Sequence, residues 1–131
     1  MNVSKLFRTL LLIASFFSFS AYATQDKIPN NSNKLIGKTF EYTYGDVVYH
    51  VNFKSANTLH WKAIKGEEAG REDDETYTIQ QLSSTTYFIA WIEKDGLGVS
   101  QVLNLKDKKI NAFLKIDKEI IPLTGSAREL Y

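Results

Sequence analysis

Three tyrosines near the start of the chain could supply hydroxyl groups to a ligand. Tyr42 and Tyr44 lie two positions apart in a segment where aromatic residues alternate with threonine and glutamate. Side chains two apart on a strand point to the same face, so we expect the two hydroxyls to lie together. Tyr49 follows across the Gly45-Asp46 turn and can join them. Phenols donate and accept hydrogen bonds, so the three residues are candidates for binding a ligand's polar end. Packing alone also explains such a pair, because strands are rich in tyrosine.

A carboxylate and a guanidinium are candidates for acid–base chemistry. Glu93 shares a strand face with Tyr87 and Trp91. If that face is internal, the carboxyl group must either raise its pKa or find a cation. Arg71 follows a glycine in a polar stretch, and an ion pair between Arg71 and Glu93 would present a guanidinium fork to an anionic ligand. Solvated side chains at a strand end and in a loop are the alternative interpretation. The predicted ligand-binding residues are Tyr49, Trp61, Tyr87 and Trp91, beside Glu93, Arg71, Tyr42 and Tyr44 as the catalytic candidates.

Other common chemistries find no support in the sequence. There is no cysteine, and His50 and His60 lie ten residues apart without a companion ligand, so no metal site is expected. The acidic run Glu72–Glu75 lacks the ligand spacing of a calcium loop. No nucleotide-binding glycine motif is present. The formal net charge of +1 leaves no basic excess to hold nucleic acid. We therefore expect neither a cofactor nor a nucleic-acid partner.

The candidate residues fall on short alternating segments, which predict an all-β fold. A polar stretch over Lys65–Glu75 is interpreted as a loop. About eight antiparallel strands in so short a domain favour a closed calycin-like or lipocalin-like barrel, which removes exposed strand edges and can enclose one small ligand. A two-sheet sandwich is the alternative. The predicted strands are Thr39–Tyr44, Val47–Lys54, Thr58–Ile64, Thr76–Leu82, Thr85–Glu93, Gly98–Lys106, Lys109–Ile116 and Lys118–Leu123.

The N-terminal region has the layout of a secretory signal. A basic start precedes the uncharged apolar run Thr9–Phe19, and small residues at Ala21 and Ala23 offer a cleavage site. The run is too short for a membrane span, which needs roughly 20 residues. The sequence therefore predicts a signal peptide over 1–23, a flexible leader over 24–34 and a barrel over 35–131. We expect a periplasmic or secreted protein without stable membrane insertion.

The order of the pieces resembles a known family. Gly37–Tyr44 followed by Tyr49 resembles the opening of the phenolic acid decarboxylases. Ala69–Arg71 resembles their arginine loop, and Tyr87–Glu93 resembles their Y-x-x-x-W-x-E strand. Shorter matches occur at Val99-Ser100 and Ser126–Tyr131. The same residues are similar to the MoaF-related domains, and the resemblance covers about 35–131.

The resemblance implies a calycin-type barrel and a set of roles. In the decarboxylases a 4-hydroxycinnamic acid loses CO₂ without a cofactor or metal. By this resemblance, Tyr42 and Tyr44 bind one polar end of the substrate, Tyr49 is a further pocket tyrosine, and Arg71 and Glu93 match the arginine and the catalytic glutamate.

Three hypotheses about function follow. The first is an exported barrel, resembling MoaF-related domains, that binds a small aromatic or carboxylated ligand such as a phenolic acid. The second is a cofactor-free carboxy-lyase that acts on phenolic acids. The third is a structural or interaction barrel filled by its own aromatic side chains. Strand edges would also allow a homodimer.

Overall fold

The computed structural model describes residues 33–131. The predicted signal peptide and most of the predicted leader lie outside the described residues. Within residues 33–131 there are eight strands and no helix, so no helix there is long and apolar enough to cross a membrane. The strands are β1 (Thr39–Tyr44), β2 (Val47–Phe53), β3 (Thr58–Lys65), β4 (Glu72–Gln81), β5 (Thr86–Ile92), β6 (Gly98–Asn104), β7 (Lys109–Ile116) and β8 (Glu119–Leu130).

The predicted closed barrel is confirmed. Each strand pairs antiparallel with the next, and β8 returns to pair with β1, for example Tyr42 with Ala127. Closure leaves no free edge in the sheet, so every strand has hydrogen-bonding partners on both sides. The alternation of large and polar residues in β1 places Phe40 and Tyr42 inside the barrel.

The two ends of the barrel differ in how they are filled. At one end, which we call the packed end, large side chains are fully buried, and the turn before β1 adds Leu35 to them. Phe53 packs edge-on against Phe40 and Tyr77, with ring centroids 6.0 and 5.4 Å apart. Asn33 donates a hydrogen bond of 2.6 Å from its amide to the Tyr77 hydroxyl. The last residues of the predicted leader therefore contact the barrel.

The predicted loop over Lys65–Glu75 is wrong in its second half, because β4 begins at Glu72. Two of the acidic residues there, Glu72 and Asp74, stand opposite Lys62 and His60 of β3 and contact them across the strands. His60 lies 2.7 Å from Asp74, and Lys62 forms an ion pair with Glu72 at 3.5 Å. Opposite charges on neighbouring strands stabilise strand pairing, so this polar segment can form a strand although its composition is typical of a loop.

The last strand is longer than predicted. The sequence interpretation ended it at Leu123, but β8 continues to Leu130 because its second half pairs with β1 and closes the barrel. Gly125 is needed at this seam, since a Cβ there would lie 2.2 Å from the Thr43 carbonyl oxygen. A glycine in a strand often marks such a close backbone approach.

Candidate functional site

A cavity of about 100 Å³ lies at the other end of the barrel, which we call the mouth. Cavities of roughly 150 Å³ are known to take up one benzene ring, so this smaller, open space can hold part of a ring-sized group whose remainder projects towards solvent. Five aromatic residues, two carboxylates, one amide and six aliphatic residues line it. They are Tyr42, Tyr44, Tyr49, Trp61, Trp91, Glu68, Glu93, Gln101, Val51, Leu97, Val99, Ala112, Leu114 and Leu123.

The inner part of the cavity carries a phenol–amide pair. Gln101 is 2% exposed, and its Nε2 donates a hydrogen bond of 2.9 Å to the Tyr42 hydroxyl. Burial, and secondarily the neighbouring Tyr44, raises the pKa of Tyr42 well above its usual range. Burial likewise raises the pKa of Tyr44. Both phenols are therefore neutral at physiological pH and are able to donate a hydrogen bond.

A loop at the mouth places a carboxylate over the cavity. Residues 66–71 fold back on β3, where the Gly70 amide donates to the Ala63 carbonyl oxygen at 2.8 Å. This turn brings Glu68 to Tyr49, whose hydroxyl donates to Oε2 at 3.0 Å. Burial and then the Glu68 carboxylate raise the pKa of Tyr49 to about 12, so Tyr49 keeps its proton.

Glu93 follows β5 and lies on the inner face that Trp91 also occupies, as the alternation predicts. Burial first, and then the charges of Asp95, Glu75 and Glu68, raise its pKa to about 7. The Trp91 indole N–H opposes this rise slightly, but it does not reach hydrogen-bond geometry and is buried without a partner among the described residues. Glu93 can therefore hold or release a proton near neutral pH.

Glu75 forms a second inward carboxylate next to Glu93. Glu75 lies two residues before Tyr77, which pairs with Trp91, and its charge helps to raise the pKa of Glu93. Glu75 is 6% exposed and accepts a hydrogen bond of 3.4 Å from the Trp61 indole N–H. Its pKa is raised, chiefly by burial.

Arg71 lies outside the cavity lining. Its guanidinium contacts the Glu68 carboxylate at 2.6 Å and is 60% exposed. The expected ion pair of Arg71 with Glu93 is therefore absent among the described residues. The physical reason is local. Glu68 lies three residues before Arg71 in the same turn, so its carboxylate is within reach of the guanidinium.

Tyr87 also lies outside the cavity lining. It is on the predicted inner face but four residues before Trp91 on β5, which is about 13 Å along an extended strand. It therefore belongs to the packed end, where its hydroxyl is buried without a partner among the described residues. The other six predicted site residues, Tyr42, Tyr44, Tyr49, Trp61, Trp91 and Glu93, do come together around the cavity.

Three polar residues of the site were missed by sequence reasoning. Gln101 stands between Val99 and Leu103 on an inward face of β6, so a polar residue within an apolar alternation was the available signal. Glu75 bears the same relation to Tyr77, but it was hidden in the presumed loop. No local pattern marks Glu68, whose position depends on how the 66–71 loop folds.

The arrangement combines a small apolar hollow with hydrogen-bonding groups at its base and carboxylates at its mouth. It can bind a small molecule, and Glu93 can exchange a proton with it. Within the described residues, no group of three or more histidine, aspartate or glutamate side chains is placed to hold a metal ion.

Comparison with known proteins places this barrel in a family. A solved structure of a provisionally named beta-lactamase from Burkholderia vietnamiensis is similar, with a TM-score of 0.70 and 25% sequence identity over 74% of this chain and 96% of that one. No curated protein matches the sequence. The MoaF-like family matches residues 36–128, from the turn before β1 almost to the end of β8. The family resemblance predicted from the sequence is thereby confirmed, and the chain belongs to the MoaF-like family.

Proposed function

We propose that this MoaF-like barrel binds a small molecule with an aromatic or apolar body in the cavity at its mouth. The observation that carries the proposal is the hollow of about 100 Å³ lined by three phenols, two indoles and a half-buried glutamate. Ligand sites are concave and mostly apolar, with a few polar groups that fix orientation. A barrel filled by its own side chains would leave no such space.

The polar groups suggest how the ligand is oriented. Tyr42 and Gln101 lie deep and are hydrogen-bonded to each other, so a ligand hydroxyl can insert beside them. The faces of Trp61 and Trp91 would contact the ring. Charged groups, if the ligand has them, then face the mouth near Glu68 and Glu93.

The binding proposal can be tested by tryptophan fluorescence. Trp61 and Trp91 are the two tryptophans of the chain, and both line the cavity. We expect the purified protein to give a saturable change in fluorescence with 2-phenylethanol, a neutral ring-sized probe.

A cavity-filling variant supplies the matched comparison. Ala112→Leu adds three carbon atoms within the cavity lining and should weaken binding by about tenfold or more. Ala90→Leu places the same change on the outward face of β5 and should leave binding unchanged. If Ala112→Leu is folded and still binds like the parent protein, the ligand does not occupy this cavity.

A carboxy-lyase is the second candidate, favoured by Glu93, whose pKa of about 7 suits proton donation. In this reaction a 4-hydroxycinnamate is protonated on its double bond, and the C–CO₂⁻ bond then breaks to give the vinylphenol and CO₂. Incubation with p-coumarate, followed by chromatography for the vinylphenol, tests it. Activity should be lost in Glu93→Gln. A parent protein that leaves p-coumarate unchanged excludes this substrate.

We further propose that the barrel acts after export. Support comes from the basic, apolar and small-residue segments that precede the barrel. Mass spectrometry of the protein expressed from its full sequence in a bacterial host should find an N-terminus at Thr24. An intact Met1 N-terminus in the cytoplasmic fraction would contradict the proposal.

A further inference from the structure

The charged groups that line the cavity are all negative. Among the described residues lining it, only Glu68 and Glu93 carry a charge, and no lysine, arginine or histidine joins them. Glu75 adds a third carboxylate beside Glu93. Glu68 is paired with Arg71, so Glu93 is the lining carboxylate that an anionic ligand would meet without a paired cation.

Two cations near the mouth are already paired with carboxylates other than Glu93. Arg71 contacts Glu68 at 2.6 Å, and Lys94 forms an ion pair with Asp73. Glu93 forms no ion pair among the described residues, although it is partly buried. A half-buried carboxylate without a counter-charge is costly, and a positive charge supplied by a ligand would offset that cost.

Aromatic faces surround the same point. Tyr49 and Trp61 meet edge to face, with ring centroids 6.3 Å apart, and Trp91 stands beside Glu93. Aromatic faces attract ammonium groups, tryptophan most strongly, and a neighbouring carboxylate adds to this attraction.

The buried Trp91 indole nitrogen is a second observation that points to a ligand, because it lacks a hydrogen-bond acceptor among the described residues. Trp91 lines the cavity and is 8% exposed, and its indole nitrogen is buried. The indole N–H lowers the pKa of Glu93, so an ionised Glu93 held by a ligand cation could accept a hydrogen bond from it.

Resting on the proposed function, we propose that the ligand is an organic cation: a protonated amine whose apolar body enters the cavity and whose ammonium group lies at the mouth beside Glu93. This differs from the carboxylated ligand that the sequence suggested, because Arg71, the group expected to bind a carboxylate, is paired with Glu68 outside the lining.

The test uses three probes of similar shape and different charge on the purified protein. 2-Phenylethanol is neutral, 2-phenylethylamine is cationic, and 3-phenylpropionate is anionic. At pH 8 we expect the amine to bind about tenfold or more tighter than the alcohol, because it gains cation–π and carboxylate contacts, and the propionate to bind more weakly than the alcohol.

The variant Glu93→Gln should lower the affinity ratio of amine to alcohol by about tenfold. The matched control Glu67→Gln removes a neighbouring carboxylate that does not line the cavity, and it should keep the ratio. If Glu93→Gln keeps the preference for the amine, the proposed ammonium position is wrong.

The pH dependence gives a second readout. The charged and titratable groups facing Glu93 are Glu68 from the loop, Glu75 on β4, Asp95 in the following turn and Tyr49 on β2. An alkylammonium with a pKa near 10 stays charged across this range, whereas Glu93 gains a proton below about pH 7. Amine affinity should therefore fall as the pH drops from 8 to 5, while alcohol affinity should not follow it.

The outcomes separate the two proposals. If the propionate binds tighter than the alcohol, and tighter still at low pH, the site takes anions and the cation inference is overturned. Equal affinities for the three probes overturn the inference but support a binding cavity. If none of the three binds, the proposed function fails, and the inference fails with it.

Discussion

The packed end and the mouth of this barrel are built from the same eight strands but contain different chemistry. At the packed end, Phe53 and Leu59 are 0% exposed and contact other apolar side chains. At the mouth, the same alternation brings Glu75, Glu93 and Gln101 inside. Alternation along a strand determines which residues point inward. Whether an inward residue stabilises the fold or can bind a ligand depends on whether it contacts apolar side chains or lines a cavity.

The two ends therefore contribute differently to the free energy of unfolding. Burial of large apolar side chains stabilises the fold by about 1.5–3 kcal/mol each. A partly buried carboxylate such as Glu93 and an unpartnered indole N–H such as that of Trp91 reduce stability. Natural proteins keep such groups chiefly where they have a function.

The largest expected effect is at the packed end. Phe53→Ala removes a fully buried ring that contacts Phe40 and Tyr77 and should lower the free energy of unfolding by about 3–5 kcal/mol, measured by urea denaturation. Phe113→Ala, at a ring that is 57% exposed on the outer face, is the control and should change stability by less than about 1 kcal/mol. Equal losses in the two variants would contradict the division into two ends.

The seam that both ends share should be the next most sensitive point. Gly125→Ala places a Cβ 2.2 Å from the Thr43 carbonyl oxygen, so β1 and β8 must separate. We expect a loss of about 2–3 kcal/mol in thermal or urea unfolding. Gly98→Ala is the matched control, because its Cβ would meet Lys115 at 3.4 Å, an ordinary contact. A Gly125→Ala protein as stable as Gly98→Ala would show that the seam can relax.

The smallest expected effect is at the mouth and depends on pH. Burial raises the pKa of Glu93 from 4.5 to about 7, so between these values the folded protein binds a proton that the unfolded chain has lost. The stabilising contribution is complete below pH 4.5 and is lost as the pH rises to about 7.

Because Glu93 is partly solvated, we expect this loss to be only about 1 kcal/mol. It should appear as the difference between the parent protein and Glu93→Gln, whose free energy of unfolding is compared at pH 5 and pH 8. Curves that stay parallel across this range would mean that Glu93 is solvated like a surface residue.

The local strand pattern made much of this structure predictable. Alternation placed Tyr42 and Tyr44 on one inner face and Trp91 with Glu93 on another, as the structure has them. It misjudged Glu72–Glu75, because a run of like charges looks like a loop until the basic residues of β3 are known to lie opposite. Alternation also led to the prediction that Tyr87 binds the ligand. It identifies the face of the strand on which a side chain lies, but not its position along the barrel axis.

The sequence by itself determined the β class, the strand alternation and the family, because those properties are carried by neighbouring residues and by motif order. Only the tertiary structure decided that Arg71 pairs with Glu68, that Gln101 meets Tyr42, and that Glu75 accepts a hydrogen bond from Trp61. These contacts join residues brought together by loop folding, strand register and barrel closure. Whether the interior is filled or hollow also depends on tertiary structure. It is set by side chains from several strands at the same level along the barrel axis, and no single segment of the sequence contains them.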